Sequence, residues 1–374
     1  MKIILFYNAI SQVSGATKVY AQMASYWAEK GHSVTILSHY GPPESPCPVS
    51  SKVKIKTTGI FKKCVPGKII RNLLSPSLIP ALFKTIKDEK PDIIIVNNAP
   101  YYGLFYATIL SKLTQTPFII WKHAGYHMRS SWMYKVTRRF CFPRADTIVL
   151  LTEGDENHAL EFNANCFNIR NPTDLNNEAK KEPAEKTDES NTALFLGRLA
   201  EQKSLNHLLK AWAKAVSAIP QWKLLIVGDG EKRRTLETLT KQLNISDSVS
   251  FTGEVNDVHT YYKNASFFVM SSMHEGLPVA LIEAASNGLP LISYNCPYGP
   301  ATVIEHNKNG FLVENGNIDA LSEAIVNMAS SVEMRKAFSS VSMLKSGEFS
   351  IENVTKQWDN VFEFVMNRKN SHKI

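Results

Sequence analysis

Cysteine is scarce in this sequence, and long apolar runs are absent. Its 374 residues contain only Cys47, Cys64, Cys141, Cys166 and Cys296. This odd number, with no Cys-x-x-Cys pair, excludes a dense disulfide framework and offers no zinc-ligand spacing, so we expect a reducing compartment. No stretch reaches the ~18 uninterrupted apolar residues of a membrane span. The amino-terminal MKIILFYNA is typical of a first strand, not of a signal peptide. The sequence therefore predicts a cytoplasmic protein.

Acidic residues are sparse in the first half of the chain. Residues 1–171 hold 21 basic and 10 acidic side chains, whereas the remainder holds 21 and 24, and the whole chain carries a net charge of +8. A basic half joined to a nearly neutral half suggests that one domain meets an anionic partner, either nucleic acid or an anionic membrane. A solvated basic surface that aids solubility explains the same counts.

Apolar segments alternate with amphipathic helical stretches, twice along the chain. In the first half we predict strands at Ile3–Tyr7, Val34–Ser38, Asp92–Val96, Phe118–Trp121 and Thr147–Leu151. After the polar stretch 173–191 we predict strands at Ala193–Leu196, Lys223–Val227, Ser248–Phe251, Phe267–Met270 and Pro290–Ser293. Apolar strands separated by helices indicate parallel sheets covered on both faces.

This alternation predicts an α/β protein with two doubly wound, Rossmann-like domains that face a central cleft. The domains are expected at residues 1–171 and 172–350, and residues 351–374 are expected to form a helix that packs back on the first domain. Ligands of such sheets bind beyond the carboxyl ends of the strands.

The strongest signal for chemistry is the segment HEGLPVALIEAASNGLP, which begins at position 274. Proline suits the first turn of a helix, so a helix is predicted to start near Pro278. The backbone N–H groups of Gly276 and Leu277 would then form an anion site at the helix N-terminus. Glu275 before the helix and Glu283 inside it can bind hydroxyls on two parts of one extended ligand. Taken alone, two such carboxylates are more often a cap and a surface residue.

A second motif, FLGRLAEQKSL, precedes it. Arg198 lies at the end of a predicted strand, and Lys203 lies at the start of the following helix. A guanidinium fork and an ammonium point charge on one strand–helix loop suit a diphosphate. A single pair of loop cations is normally only solvated. The motif therefore indicates a binding site only in combination with the segment around Glu275 and Glu283.

Together these motifs resemble the family 4 (group 1) retaining glycosyltransferases of the GT-B fold, of the bacterial surface-polysaccharide type. The resemblance extends over most of the chain and includes the Gly228-Asp229-Gly230 turn and the stretch 309–313. It implies transfer of a hexose or N-acetylhexosamine from a nucleotide sugar, UDP-linked, to a glycan or lipid-linked glycan acceptor. The products of such transfers are lipopolysaccharide, capsule or exopolysaccharide.

The resemblance also implies roles for single residues on the donor side. Arg198 and Lys203 match the cations that hold the donor diphosphate, and Glu283 matches the carboxylate that binds the ribose hydroxyls. Glu275 matches the carboxylate that contacts the donor sugar. The other donor-side matches are Gly197, Gly276, Leu277, Pro278 and Val279, together with Glu254 and Val255 where the base is held.

On the acceptor side the resemblance implicates fewer positions. Gly15 matches the close-approach glycine of the acceptor loop. His123, after the predicted strand Phe118–Trp121, matches the active-site histidine, with His127 as the nearby alternative.

No metal or other cofactor is expected. Asp229-Gly230-Glu231 is typical of a turn rather than an acidic metal motif, and Gly228-x-Gly230 lacks the third glycine of a dinucleotide fingerprint. Cations and a helix N-terminus can stabilise the departing diphosphate instead. No nucleophile is evident on the other face of the sugar, so a front-face displacement is the hypothesis for retention.

Two other functions stay open. A UDP-N-acetylglucosamine 2-epimerase shares the GT-B architecture, although the context of Glu275 and Glu283 fits transfer better. A non-enzymatic nucleic-acid-binding protein would explain the basic half but leaves that segment without a purpose. We favour a nucleotide sugar and a glycan or lipid-linked acceptor over nucleic acid as the partners.

Basic and apolar residues are interleaved in the acceptor domain. Basic residues at 62–71 surround apolar ones, and Lys135, Arg138 and Arg139 lie near Trp132 and Phe140. This pattern suits peripheral contact with an anionic membrane, here the cytoplasmic face of the inner membrane. It suits a helix that covers its own core equally well.

Overall fold

The computed structural model describes residues 1–7, 9–11, 14–39, 41–57, 78–97, 101–123, 132–163, 165–173, 190–255 and 257–371. The chain forms two compact units. The first unit comprises Met1–Pro172 and Ile351–Ile374, and the second unit comprises Thr173–Ser350. The predictions for His127 and for the basic residues at 62–71 lie outside the described residues.

The first unit contains a seven-stranded parallel sheet with the strand order β3-β2-β1-β4-β5-β6-β7. Its strands are β1 (Lys2–Tyr7), β2 (Ser33–Ser38), β3 (Lys54–Thr57), β4 (Ile93–Asn97), β5 (Phe118–Trp121), β6 (Thr147–Leu150) and β7 (Cys166–Asn168). Its helices are Gly15–Glu29, Leu78–Glu89, Tyr101–Thr114, Trp132–Cys141, Glu156–Leu160 and Ile351–Ser371. None of the helices described is long and apolar enough to cross a bilayer.

The second unit contains a six-stranded parallel sheet with the strand order β10-β9-β8-β11-β12-β13. Its strands are β8 (Thr192–Leu196), β9 (Lys223–Val227), β10 (Val249–Gly253), β11 (Phe267–Met270), β12 (Leu291–Tyr294) and β13 (Gly310–Val313). Its helices are Leu205–Ala215, Arg233–Gln242, His259–Asn264, Val279–Ser286, Gly299–Val303, Ile318–Ser330 and Val332–Ser346. The predicted α/β class with two Rossmann-like domains is confirmed.

The strand order places a topological switch point in each sheet. In the second unit β8 pairs with β9 on one side and with β11 on the other. The connections after β8 and β11 therefore leave toward opposite faces of the sheet, and a crevice opens at the carboxyl ends of these two strands. The first unit repeats this arrangement at β1 and β4.

Aromatic packing fixes the last helix to the first unit. Trp358, from the helix Ile351–Ser371, is fully buried, and its ring meets those of Trp27 and Trp121 edge to face at centroid distances of 5.3 and 4.9 Å. Phe362 packs on Trp27 at 5.3 Å. Edge-to-face contacts of this kind add to the free energy gained from burying the rings.

Candidate active site in the second unit

Several chemistry-bearing loops follow the strands of the second sheet. Gly197 and Arg198 follow β8, and the turn 228–231 follows β9. Glu254 and Val255 follow β10, while the segment 274–278 follows β11. Because all these strands are parallel, their carboxyl ends lie along one edge of the sheet.

Glycine allows close approach between loops in two places, one of which involves Gly299 in the loop after β12. Gly228 has a φ of +130°, and a side-chain carbon there would lie 2.1 Å from the carbonyl oxygen of Gly197. A side-chain carbon at Gly299 would lie equally close to the carbonyl oxygen of Gly276. Any larger residue would push the loops apart, so both contacts depend on glycine.

Lys203 and Glu275 meet at the switch point. The Lys203 Nζ lies 2.5 Å from Glu275 Oε1, and the two side chains are 21% and 9% exposed. Backbone and side-chain contacts hold the two loops around this pair: Gln202 Nε2 donates to the carbonyl of His274 at 2.6 Å, and the Ser271 hydroxyl lies 2.9 Å from the carbonyl of Lys203. A cation and a carboxylate are thus fixed between β8 and β11.

Arg198 is a much more exposed cation on the same loop. Its Nη2 lies 3.1 Å from Glu231 Oε2, and both side chains face solvent. The pKa of Glu231 is lowered, chiefly by a backbone hydrogen bond and further by the Arg198 charge. Exposed ion pairs are weak, so an incoming anion can displace this carboxylate from the guanidinium.

Glu283 is held by a residue that the sequence did not reveal. The helix Val279–Ser286 places the Glu283 carboxylate where Oε2 accepts a hydrogen bond from the Tyr262 hydroxyl at 2.9 Å. Burial raises the pKa of Tyr262 well above its usual value, and the Glu283 charge adds to this rise, so the hydroxyl stays a donor. Tyr262 lies on another helix, 21 residues earlier, and no spacing in the sequence links the two.

The remaining donor-side positions surround this centre. Pro278 caps the helix, which begins at Val279, one residue later than a proline in the first turn would place it. Leu277 is buried, whereas Glu254 is exposed and Val255 is half-buried. Glu254 and Val255 follow β10, two strands away from β8, at the end of the site opposite to Glu275.

In the first unit, Gly15 and His123 follow two different strands of the sheet. Gly15 begins the first helix, where the Ser14 hydroxyl caps it by accepting from the backbone N–H of Thr17 at 3.1 Å. His123 follows β5, and its ring packs on Trp121 and Tyr20 at centroid distances of 4.5 and 5.3 Å.

His123 is electrically neutral at physiological pH. Burial lowers the pKa of His123 to about 3, and its buried Nε2 forms no hydrogen bond within the part of the chain that the structure describes. A neutral imidazole has one donor and one acceptor nitrogen. The ring can therefore bind a hydroxyl, but it does not offer a positive charge.

Two histidines whose pKa burial lowers should weaken the fold in acid. Burial lowers the pKa of His123 to about 3 and that of His39 to about 4. Unfolding returns both to about 6.5, so below that pH the unfolded chain binds more protons. The free energy of unfolding should then fall as the pH falls from about 6.5, by at most about 1.4 kcal/mol per pH unit for each imidazole.

Urea unfolding at about pH 7 and about pH 5 measures this effect. We expect a lower midpoint at the acidic pH, and His39→Gln should reduce the difference between the two midpoints. An unchanged difference in that variant would show that His39 does not contribute to the acid lability.

Among the described residues, no group of three or more His, Cys, Asp or Glu side chains comes close enough together to ligate a metal ion. The described cysteines Cys47, Cys141, Cys166 and Cys296 are free thiols. Burial raises the pKa of the Cys296 thiol to about 12, with the Glu275 charge adding to the rise, so this neighbour of the site stays protonated.

Comparisons with known proteins cover nearly the whole chain. Residues 176–342 match the family described as glycosyl transferases group 1, and residues 13–176 match glycosyltransferase family 4. The chain is 30% identical, over 363 residues, to an uncharacterized glycosyltransferase of Haemophilus influenzae, with 96% of this chain and 99% of that protein covered. It is 26% identical to the amylovoran biosynthesis glycosyltransferase AmsD of Erwinia amylovora, over 374 residues, with the same coverage.

Among solved structures, HepE of Anabaena in complex with UDP superposes with a TM-score of 0.77. It is 16% identical, and the match covers 97% of this chain and all of HepE. This likeness shows the fold.

Proposed function

The chain belongs to the group 1 (family 4) glycosyltransferases, and we propose that it moves a hexose or N-acetylhexosamine from a UDP-linked sugar to a surface polysaccharide, with retention of configuration. The acceptor is a glycan or a lipid-linked glycan. The second unit binds the donor, and the first unit binds the acceptor.

The meeting of Lys203 with Glu275 carries this proposal. A cation for phosphate and a carboxylate for sugar hydroxyls lie 2.5 Å apart at the switch point of the second sheet. That is where open α/β sheets bind their ligands. Arg198 lies on the same loop as Lys203, so both cations can reach one diphosphate.

The other donor contacts follow from the order of the loops. Glu283, held by Tyr262, takes the ribose hydroxyls, and Glu275 takes hydroxyls of the sugar. The backbone at Glu254 and Val255 holds the base. The loop at Gly276, before the helix Val279–Ser286, adds backbone N–H groups at the sugar and phosphate.

In the reaction the bond between the anomeric carbon and the diphosphate oxygen breaks, and its electron pair leaves with the diphosphate. The acceptor hydroxyl oxygen bonds to that carbon on the same face, and its proton passes to the leaving phosphate oxygen. Arg198 and Lys203 stabilise the charge that develops on the diphosphate, the task that a divalent ion performs in other enzymes. His123, as a neutral ring, orients a sugar hydroxyl.

Two relatives support the choice of substrates. AmsD is described as acting in amylovoran biosynthesis, which supports a polysaccharide product. HepE was solved with UDP bound, which supports a uridine nucleotide. No covalent intermediate is part of the proposed mechanism, so trapping a sugar–enzyme adduct would contradict it.

Replacing Glu283 with glutamine tests the donor site. At one hundred times its Kd, a UDP-sugar should stabilise the wild-type chain by about 2.7 kcal/mol, and GDP- or ADP-sugars at the same concentration should stabilise it less. Hydrogen bonds to a charged group contribute about 1.5–3 kcal/mol, so Glu283→Gln should raise the Kd for UDP about 10- to 100-fold. Tyr262→Phe, which leaves the carboxylate in place and removes only the Tyr262 hydrogen bond, should raise Kd less.

Thermal shifts with a panel of nucleotide sugars measure both the nucleotide preference of the wild-type chain and the Kd for UDP of each variant. An equal Kd for UDP in Glu283→Gln and wild type would contradict the assigned ribose contact. Conversion of the UDP-sugar to its epimer without any acceptor would contradict glycosyl transfer itself.

A further inference from the structure

We propose that an outer face of the first unit docks on an anionic lipid bilayer. This face, called the docking face below, consists of Phe105, Leu113, Trp132, Lys135, Val136 and Arg139. The docking face would bring the chain to a lipid-linked acceptor at the bilayer surface, and this role rests on the proposed function. The binding itself requires no sugar donor.

The helix Trp132–Cys141 turns apolar side chains outward. Trp132 is 73% exposed, and Val136 is more than half exposed, while Lys135 and Arg139 also face solvent. These four positions share one side of the helix, following the spacing i, i+3, i+4 and i+7. Tyr134 and Cys141, on the opposite side, fill the core. Trp132 and Val136 therefore do not cover the core of their own unit.

The neighbouring helix Tyr101–Thr114 also carries exposed apolar side chains. Phe105 and Leu113 are both exposed, and the Phe105 ring packs on that of Phe140 at a centroid distance of 5.1 Å. Lys112 is exposed between them along the helix. Two adjacent helices thus present aromatic and aliphatic groups to solvent, and no element in the described part of the chain covers them.

All charges on these two helices are positive. Neither helix contains Asp or Glu, and Arg144, one turn beyond the second helix, lies over the Phe140 ring at 4.2 Å. The sequence interpretation that Arg138 belongs to this basic surface is wrong, because Arg138 is buried against the Phe162 and Tyr134 rings. Lys112, Lys135 and Arg139 remain as the outward cations.

This combination fits anionic lipid better than other partners. Protein interfaces are depleted of lysine at their cores, and nucleic-acid backbones gain nothing from Leu113 and Val136. An interfacial surface needs both apolar groups that enter the acyl boundary and basic groups that meet the headgroups. Tryptophan is the side chain most typical of that boundary.

Tryptophan fluorescence provides a direct test, because Trp132 is the one exposed tryptophan. The other five, Trp27, Trp121, Trp212, Trp222 and Trp358, are at most 1% exposed. Acrylamide should quench Trp132 in the free full-length chain. Vesicles of phosphatidylcholine with phosphatidylglycerol should remove this quenching and carry the chain in flotation, whereas phosphatidylcholine alone should do neither. About 1 M NaCl should release the chain.

Variants separate the two parts of the docking face. Lys135→Ala with Arg139→Ala should weaken vesicle binding about thirtyfold, since each cation contributes about fivefold. Trp132→Phe should abolish the quenching signal but keep flotation, and Trp132→Ala should weaken flotation. Arg234→Ala with Lys241→Ala removes two exposed cations from the second unit, and this control should bind vesicles as the wild type does.

Equal binding to neutral and anionic vesicles, or binding to neither, would overturn the proposal. Self-association in sedimentation velocity that Trp132→Ala abolishes would assign the docking face to a second copy of the chain instead. Vesicle binding is measured without donor, and the UDP thermal shift is measured without vesicles. A chain that shows the thermal shift but not flotation therefore contradicts only the membrane proposal.

Discussion

Replacing Arg198 and Lys203 together with alanine should lower kcat/KM for sugar transfer at least about 1000-fold. Removing one preorganised donor to a developing negative charge costs about 100- to 1000-fold in other enzymes. Both cations are proposed to meet the same leaving group, so their effects should be coupled rather than simply additive. The measurement is steady-state transfer from a UDP-sugar to the acceptor.

The matched control is Arg234→Ala with Lys241→Ala. It removes the same two charges from exposed positions of the second unit, on the helix Arg233–Gln242, and should change kcat/KM less than about threefold. Wild-type turnover in the Arg198 and Lys203 double variant would contradict the proposed diphosphate contacts.

The single variants should differ in their stability. Lys203→Ala leaves the Glu275 carboxylate buried without its cation, and breaking such a buried pair is destabilising. Arg198→Ala leaves Glu231, which faces solvent, and should unfold like the wild type. Lys203→Met, which keeps the length of the side chain, separates lost packing from lost charge.

Replacing Trp358 with alanine should lower the free energy of unfolding by about 3–5 kcal/mol, the usual cost of truncating a buried tryptophan. Its ring is fully buried between Trp27, Trp121 and Phe362. The cavity would open beside Trp121, whose ring also packs on His123. We therefore also expect slower transfer in this variant.

Urea unfolding measures the loss, with Leu344→Ala as the control. Leu344 is 82% exposed, so its truncation should change the free energy of unfolding by at most about 0.5 kcal/mol. A Trp358→Ala chain as stable as this control would show that the last helix contributes little to the first unit.

Strands inside the two sheets could be predicted from the sequence, whereas three of the four edge strands of these sheets could not; the edge strand β10 is the exception. Phe118–Trp121 and Phe267–Met270 are uninterrupted apolar runs, and Lys223–Val227 is apolar after its first residue. All three strands occur as predicted. The missed strands β3, β7 and β13 all lie at a sheet edge. An edge strand pairs on one side only, can be short, and needs less apolar character, so its pattern is weak.

The candidate site shows the same limit. The position of Arg198 at a strand end follows from the local pattern of β8. Lys203 and Glu275 are 72 residues apart in the sequence, and their contact depends on the pairing of β8 with β11. Local periodicity contains no such information, and the hydrogen bond from Tyr262 to Glu283 is equally non-local.

A crystal structure of the chain with an intact UDP-sugar tests the central claim most directly. The diphosphate oxygens should lie about 3 Å from the side-chain nitrogens of Arg198 and Lys203, with the ribose hydroxyls on Glu283. In that complex Arg198 should have left Glu231. A nucleotide bound elsewhere, with the ion pairs of Arg198 and Lys203 unchanged, would contradict the claim that these two cations hold the donor.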